Sequence, residues 1–120
     1  MRVLIVEDDR SVGSVLQDFL LELGHESELV LSAEGALDRL HQNRPDLILL
    51  DFRLPGINGL DATRQILDGS DRQVILLLST YEEEEYAPRA AECGAAAYIP
   101  KSAFGPDRLS DAWAAATTAS

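Results

Sequence analysis

Five short apolar runs alternate along the chain with five stretches of helical periodicity. Four of the runs carry no polar alternation, which is typical of parallel strands covered on both faces. The second run begins with polar residues and indicates an edge strand. The predicted strands are VLIV (3–6), SELVL (27–31), LILL (47–50), VILLL (74–78) and AAYI (96–99).

The helical stretches have apolar residues at spacings of three and four, with recognisable boundary signals. Gly24 ends the first stretch, and Ser32 is the predicted N-cap of the second. The third is expected to begin after Asn58 or Gly59. In the fifth, Pro106 stands at a plausible first-turn position.

The fourth stretch is the least regular, because Pro88 cannot sit deep in an ordinary helix. We expect this helix either to begin late, near Ala87, or to have a distorted first turn. Alternation of strands and helices at this spacing implies right-handed crossovers. The sequence therefore predicts an α/β fold with a doubly wound parallel sheet.

Length and charge narrow the class of protein. The chain has 120 residues, which suits one domain with one core, and its formal net charge is −11. Such a charge argues against direct binding of nucleic acid or of an anionic membrane by this chain.

The single cysteine, Cys93, indicates a reducing compartment. No apolar run approaches the roughly 20 residues of a membrane span, so we expect no membrane partner and a cytoplasmic location.

Polar residues follow four of the five predicted strands. The carboxyl ends of parallel strands share one edge of the sheet, and function gathers there in such folds. Neighbouring carboxylates repel each other and favour a divalent cation with oxygen ligands, such as Mg²⁺. An amine and a hydroxyl can hold phosphoryl oxygens while a remaining acid acts as nucleophile. The residues at this edge are Glu7, Asp8, Asp9, Asp51, Ser79, Thr80 and Lys101.

The chain resembles the receiver domains of two-component response regulators over nearly its whole length. The matching segments, in register, are VEDD (6–9), LLDFRLPGINGL (49–60), LLLST (76–80) and CGAAAYIPK (93–101). The resemblance implies a flavodoxin-like (βα)5 sheet with strand order 2-1-3-4-5. Residues 1–116 are assigned to this domain, and 117–120 to a tail or the start of a linker.

The resemblance also implies a phosphorylation site that uses Mg²⁺. Asp51 corresponds to the phosphoacceptor, Asp8 to the direct metal ligand, and Glu7 to the second acid of the metal pocket. The backbone carbonyl of Arg53 would complete the protein ligands. Asp9 is interpreted as a cap of the first helix rather than as a ligand.

Two further residues correspond to switching positions, and one to phosphate binding. Ser79 matches the switch hydroxyl, Tyr98 the aromatic residue that turns inward after phosphorylation, and Lys101 the phosphate-binding lysine. The implied phosphodonor is a sensor histidine kinase. Phosphorylation would shift the surface formed by the fourth helix, the fifth strand and the fifth helix, and it could also produce a homodimer.

The positions at which the chain departs from the commoner receiver pattern bear on the kind of output domain that we expect. Many relatives have proline after the lysine, whereas this chain has Ser102. The segments PKS and LST resemble receivers of the LuxR/NarL type, which precede helix-turn-helix domains. We therefore expect transcriptional control through a DNA-binding domain outside this sequence. The alternative is a stand-alone receiver that acts through protein contacts only.

Arg53 and Tyr81 lie two positions beyond Asp51 and Ser79. We expect both side chains to overhang the site and lengthen the phosphoryl lifetime, with Arg53 paired to Glu82 or Glu83. Two solvated side chains are the alternative. Aspartate-based phosphatases need an acid at the position of Arg53, so we expect a signalling module rather than a turnover enzyme. A receiver that works without phosphorylation is disfavoured by the complete set of acids, hydroxyl and lysine.

Overall fold

A parallel five-stranded sheet lies at the centre of the computed structural model, which describes residues 1–69, 73–79 and 83–118. Five helices and a short 3-10 helix (Lys101–Ala103) accompany seven strands in these residues. In chain order the other elements are β1 (Arg2–Val6), α1 (Arg10–Glu22), β2 (Glu26–Val30), α2 (Ala33–Gln42), β3 (Leu47–Asp51), β4 (Arg53–Leu54), β5 (Ile57–Asn58), α3 (Gly59–Gly69), β6 (Val74–Ser79), α4 (Glu83–Glu92), β7 (Ala97–Pro100) and α5 (Pro106–Thr118).

The order of the main sheet is β2-β1-β3-β6-β7, with all neighbours parallel. The two-residue strands β4 and β5 pair only with each other. Without them the order reads 2-1-3-4-5, so the predicted fold is confirmed. β2 is an edge strand, as its polar start indicated.

Two buried clusters cover the two faces of the sheet. Alternate residues of each inner strand enter different clusters, since successive side chains point to opposite faces. Leu4 of β1 belongs to the cluster that includes residues of α2, α3 and α4, whereas Val3 and Ile5 belong to the one that includes residues of α1 and α5. Burial on both faces explains the uninterrupted apolar runs in the sequence.

The predicted caps of the first two helices are confirmed. The Asp9 carboxylate accepts hydrogen bonds from the backbone amides of Ser11 and Val12, at 2.9 and 3.4 Å. Ser32 Oγ accepts one from the amide of Gly35 at 3.0 Å. Each bond satisfies a backbone donor that the first turn leaves free, so both residues fix a helix start.

The expected late start of the fourth helix is wrong. α4 begins at Glu83 and contains Pro88. Pro88 is exposed, whereas Ala90 is buried and Ala87 packs against the same cluster. The helix therefore buries its small apolar face and turns the proline, with its missing backbone donor, toward solvent.

The C-terminal residues extend the last helix. Two residues of the predicted tail, 117 and 118, belong to α5, while 119 and 120 lie outside the described residues. The domain boundary at 116 stays a prediction. Among the helices that the structure describes, none has the length and hydropathy needed to cross a membrane.

Candidate functional site

Three carboxyl groups meet at the carboxyl edge of the sheet. Asp51 is the last residue of β3, and Glu7 and Asp8 follow β1 directly. Because β1 and β3 are parallel neighbours, with Val6 opposite Leu50, their ends lie side by side. One oxygen from each carboxyl group lies within 4.8 Å of the other two. Glu7 and Asp51 are buried, whereas Asp8 is exposed.

Lys101, which follows the edge strand β7, forms ion pairs with two of these acids. Its Nζ lies 3.2 Å from both carboxylate oxygens of Glu7 and 3.2 Å from Asp51 Oδ1. The Lys101 side chain is 21% exposed, and that of Glu7 only 3%. Charge-assisted hydrogen bonds between such partly or fully buried side chains are stronger than ion pairs on the surface.

The electrostatics of the cluster indicate an excess of negative charge. Burial, and after it the charge of Asp51, raises the pKa of Glu7 to about 7 against the opposing effect of Lys101. Burial also opposes the charge on Lys101, but Asp51 and Glu7 outweigh it and raise the pKa of the amine. One ammonium group does not balance three carboxylates, so the cluster suits an additional cation.

Three oxygen ligands of this kind fit Mg²⁺. Magnesium is bound through one or two carboxylates plus waters and phosphate oxygens, rather than by a closed protein cage. Glu7, Asp8 and Asp51 offer such oxygens, and the exposure of Asp8 leaves one side of the group open to solvent. The donor set therefore matches the predicted metal.

A short hairpin follows β3, and the sequence analysis did not predict it. Arg53 pairs with Asn58 and Leu54 with Ile57, and Gly56 in the turn has φ +76°. The turn between β4 and β5 lies within the segment LPGING (54–59). The Arg53 side chain is exposed. Whether the Arg53 carbonyl binds metal stays a prediction.

Of the other predicted positions, some belong to the residues that the structure describes and some do not. Ser79 ends β6 and is 1% exposed. Thr80, Tyr81 and Glu82 lie outside the described residues, as does the side chain of Glu83. The expected overhang of Tyr81 and the pairing of Arg53 therefore have no structural outcome. The Lys101–Ser102 peptide is trans.

Tyr98 lies inward and contacts a residue that the sequence did not single out. Its side chain is 7% exposed, and its ring meets that of Phe52 with centroids 5.8 Å apart and planes at 77°. Phe52 directly follows Asp51, so this contact begins one residue from the predicted acceptor. Only its position beside Asp51 could have signalled it, because aromatic residues in apolar surroundings are ordinary core residues.

Gly59 permits the close approach of α3 to the end of β3 and to Phe52, which follows it. Its amide donates to the carbonyl of Phe52 at 2.6 Å. A Cβ at this position would lie 2.8 Å from Phe52 Cα and 2.7 Å from Leu77 Cδ2. Because one of these atoms belongs to the backbone, a side chain here has to displace the segment beside Asp51.

Gly59→Ala is accordingly expected to lower the free energy of unfolding by about 1–3 kcal/mol, the usual cost of overpacking. Urea denaturation followed by circular dichroism measures this change. Gly105→Ala is the matched control, because a Cβ there meets nothing within 4 Å. Equal stability of the two variants would show that the Gly59 contact is not restrictive.

Comparison with protein families gives a match over most of the chain. The family model described as "Response regulator receiver domain" matches residues 3–114. The matched range contains all three carboxylates, Lys101 and Tyr98.

Curated relatives agree with this match. Response regulator MprA of Mycobacterium sp. (strain KMS) is 35% identical over 101 residues, which cover 84% of this chain and 44% of that protein. MprA of Mycobacterium bovis (strain ATCC BAA-935 / AF2122/97) is 34% identical over the same extent. The chain thus spans less than half the length of these relatives.

Solved structures share the fold. The crystal structure of response regulator protein TrrA from Thermotoga maritima, in complex with Mg²⁺-BeF, has a TM-score of 0.80 at 30% identity. The alignment covers 92% of this chain and 93% of TrrA. A putative response regulator from Chloroflexus aurantiacus J-10-fl gives 0.85 at 29% identity, covering 94% and 97% of the two chains.

Proposed function

Because this chain belongs to the response regulator receiver domain family, we propose that it accepts a phosphoryl group on Asp51 from a sensor histidine kinase. The observation that carries the proposal is the grouping of Asp51 with two further acids and Lys101 at one edge of the sheet. Phosphoryl transfer needs mainly positioning and charge stabilisation, and these groups supply both.

The proposed cofactor is Mg²⁺, held by Asp8, Asp51 and the Arg53 carbonyl, with Glu7 as the second acid of the pocket. When bound, the ion would neutralise charge on the phosphoryl oxygens and on the surrounding carboxylates. The complex of TrrA with Mg²⁺-BeF supports this assignment by similarity.

In the proposed reaction, a carboxylate oxygen of Asp51 attacks the phosphorus of a phosphohistidine. The bond from phosphorus to the histidine nitrogen breaks as the new oxygen–phosphorus bond forms, and the nitrogen keeps the electron pair. Lys101 stabilises the negative charge of the phosphoryl oxygens, and the Ser79 hydroxyl donates a hydrogen bond to one of them. Beyond this transfer, the chain would catalyse only slow autodephosphorylation.

Mg²⁺ is expected to stabilise the folded protein by mass action. At ten times Kd the gain is about 1.4 kcal/mol, which raises Tm by roughly 5 °C for a chain of this size. Asp8→Asn should weaken Mg²⁺ binding at least about tenfold, the equivalent of losing ~1.4 kcal/mol. Thermal unfolding over a titration of Mg²⁺ measures both effects.

Asp9→Asn is the matched control, since it removes the same charge one residue away and asparagine retains the N-cap of α1. It should keep the wild-type response to Mg²⁺. If Asp8→Asn responds to Mg²⁺ as wild type does, the metal site is assigned to the wrong acids.

The proposed response to phosphorylation is a shift of the surface that α4, β7 and α5 form. Ser79 moves toward the phosphoryl group, and phosphorylation shifts the equilibrium of Tyr98 toward the inward position in which the structure has it. Such a shift changes the populations of two states that already exist. The exposed Pro88 in α4 supports a role for this helix, because it removes one backbone hydrogen bond from the element that has to move.

The proposed output is transcriptional control through a C-terminal helix-turn-helix domain of the LuxR/NarL type. The PKS and LST segments support this subgroup, and the greater length of the mycobacterial relatives leaves room for a second domain. DNA binding would belong to that domain, and phosphorylation could produce a homodimer. A stand-alone receiver that acts by protein contacts is the second candidate. The proposed location is cytoplasmic.

We further propose that Arg53 and Tyr81 slow hydrolysis of the phosphorylated Asp51 by hindering the attacking water. The exposed Arg53 side chain, two residues from Asp51, supports this for Arg53. Arg53→Ala and Tyr81→Ala should each shorten the phosphoryl lifetime severalfold, on the order of the loss of ~1 kcal/mol from a barrier. Autodephosphorylation measured by phosphate release tests this, and unchanged rates would reject it.

A further inference from the structure

A ring contact links the acceptor strand to the last strand of the sheet. The edge-on contact of Phe52 with Tyr98 involves two side chains that are 8% and 7% exposed. Both belong to the same buried cluster as Ala90 of α4. The contact therefore belongs to the same buried cluster as a residue of the helix that the proposed switch has to move.

The backbone of Phe52 is held on two sides. Its amide donates to the carbonyl of Leu78 in β6 at 2.8 Å, and its carbonyl accepts from the amide of Gly59 at 2.6 Å. The Phe52 ring is therefore attached to a backbone segment that is held in place and that also carries the side chain of Asp51. A change in the position of Tyr98 therefore alters its contact with a ring whose backbone is held by two hydrogen bonds.

We propose that Phe52 is a further positioning residue of this site, whose ring favours the inward position of Tyr98 and couples that position to the occupancy of Asp51. The inference rests on the proposed phosphoacceptor function of Asp51. An edge-to-face pair of this kind changes the ratio of two Tyr98 positions by about two- to tenfold. By linkage, a ligand that favours the inward position then binds more tightly by up to the same factor.

Binding of beryllofluoride with Mg²⁺ tests the proposal, because this analogue stands in for a phosphoryl group on an acid. Phe52→Leu removes the ring but keeps an apolar side chain, and it should raise the Kd for beryllofluoride by about two- to tenfold. Phe52→Tyr keeps the ring and should restore wild-type binding. Phe52→Met serves as a second ring-free variant if the leucine variant does not fold.

A spectroscopic readout separates coupling from a general loss of packing. With 3-fluorotyrosine incorporated, the Tyr98 resonance (assigned with Tyr98→Phe) should move toward the exposed position in Phe52→Leu. Phe19→Leu is the matched control, since it removes a ring that contacts Phe104 at 5.3 Å on the opposite face of the sheet. This control should leave both the Kd and the Tyr98 resonance unchanged.

The coupling also predicts non-additivity. In a Tyr98→Leu background, Phe52→Leu should have no further effect on the Kd, because the partner ring is already absent. An unchanged Kd in Phe52→Leu, or an equal loss of affinity in both backgrounds, would overturn the inference alone. If wild type does not bind beryllofluoride with Mg²⁺, the proposed function is rejected and the inference with it.

Discussion

Asp51→Asn is expected to abolish phosphorylation of the chain by a small phosphodonor such as acetyl phosphate, or by a cognate kinase. The amide has nearly the shape of the carboxylate but lacks the charge and the nucleophilic oxygen. Removal of a nucleophile lowers the rate by more than roughly 10⁴-fold. Intact-protein mass spectrometry after incubation with phosphodonor and Mg²⁺ measures the phosphorylated fraction.

The variant should remain folded, since it removes one of two buried carboxylates that repel each other. Asp61→Asn provides the control, because Asp61 is an exposed residue of the first turn of α3 and is not one of the three clustered acids. The control should be phosphorylated to the wild-type level. Phosphorylation of Asp51→Asn at the wild-type rate would assign the acceptor to another residue.

Lys101→Ala is expected to lower both the stability of the metal-free protein and its rate of phosphorylation. Breaking a buried ion pair costs about 3–5 kcal/mol, and we expect about 2–3 kcal/mol here. The smaller value reflects the 21% exposure of Lys101 and the pKa of Glu7 of about 7, which lets that acid take up a proton once the ammonium is gone. Mg²⁺ should restore most of the loss. Urea denaturation in chelator and in Mg²⁺ measures the difference.

The rate of phosphorylation of Lys101→Ala should fall by about 10²- to 10³-fold, the usual effect of removing one group that stabilises developing charge. Arg64→Ala is the control, because it also removes a cation, from a surface pair with Asp61 at 3.3 Å. Such a pair contributes about 0.5 kcal/mol or less. Equal losses of stability in the two variants would mean that the contacts of Lys101 with Glu7 and Asp51 are no stronger than those at the surface.

The sheet could be predicted from sequence because its inner strands are buried on both faces. Runs such as LILL before Asp51 leave no polar alternation to confuse them with surface strands. The caps at Asp9 and Ser32 could be predicted because the side chain bonds to an amide only two or three residues away. Both caps are local interactions, so the residue types near each helix start are enough to predict them.

Elements that depend on tertiary contacts were harder to predict from the sequence. The β4–β5 hairpin has two-residue strands, which are too short for any periodicity to indicate. One of the two alternatives for α4, a start near Ala87, was wrong because helix propensity disfavours proline beyond the first turn. In the folded chain, packing of Ala87 and Ala90 outweighs that preference, since the proline faces solvent.

The same distinction applies to the site. The residues at the sheet edge could be predicted, because parallel strands bring their carboxyl ends together whatever the loops between them do. That Lys101 contacts both oxygens of Glu7, 94 residues away along the chain, depends on the exact path after β7. The contact of Phe52 with Tyr98 depends on register across β6, which no local pattern specifies.

Borohydride reduction of the phosphorylated protein tests the central claim most directly. Borohydride reduces the carbon of an acyl phosphate to an alcohol and releases phosphate, which converts a phosphorylated aspartate into homoserine. After treatment with phosphodonor and Mg²⁺, we predict homoserine at position 51 and unmodified acids at Glu7 and Asp8, as read by peptide mass spectrometry. Homoserine at another aspartate, with Asp51 unmodified, would contradict the assignment of Asp51 as the phosphoacceptor.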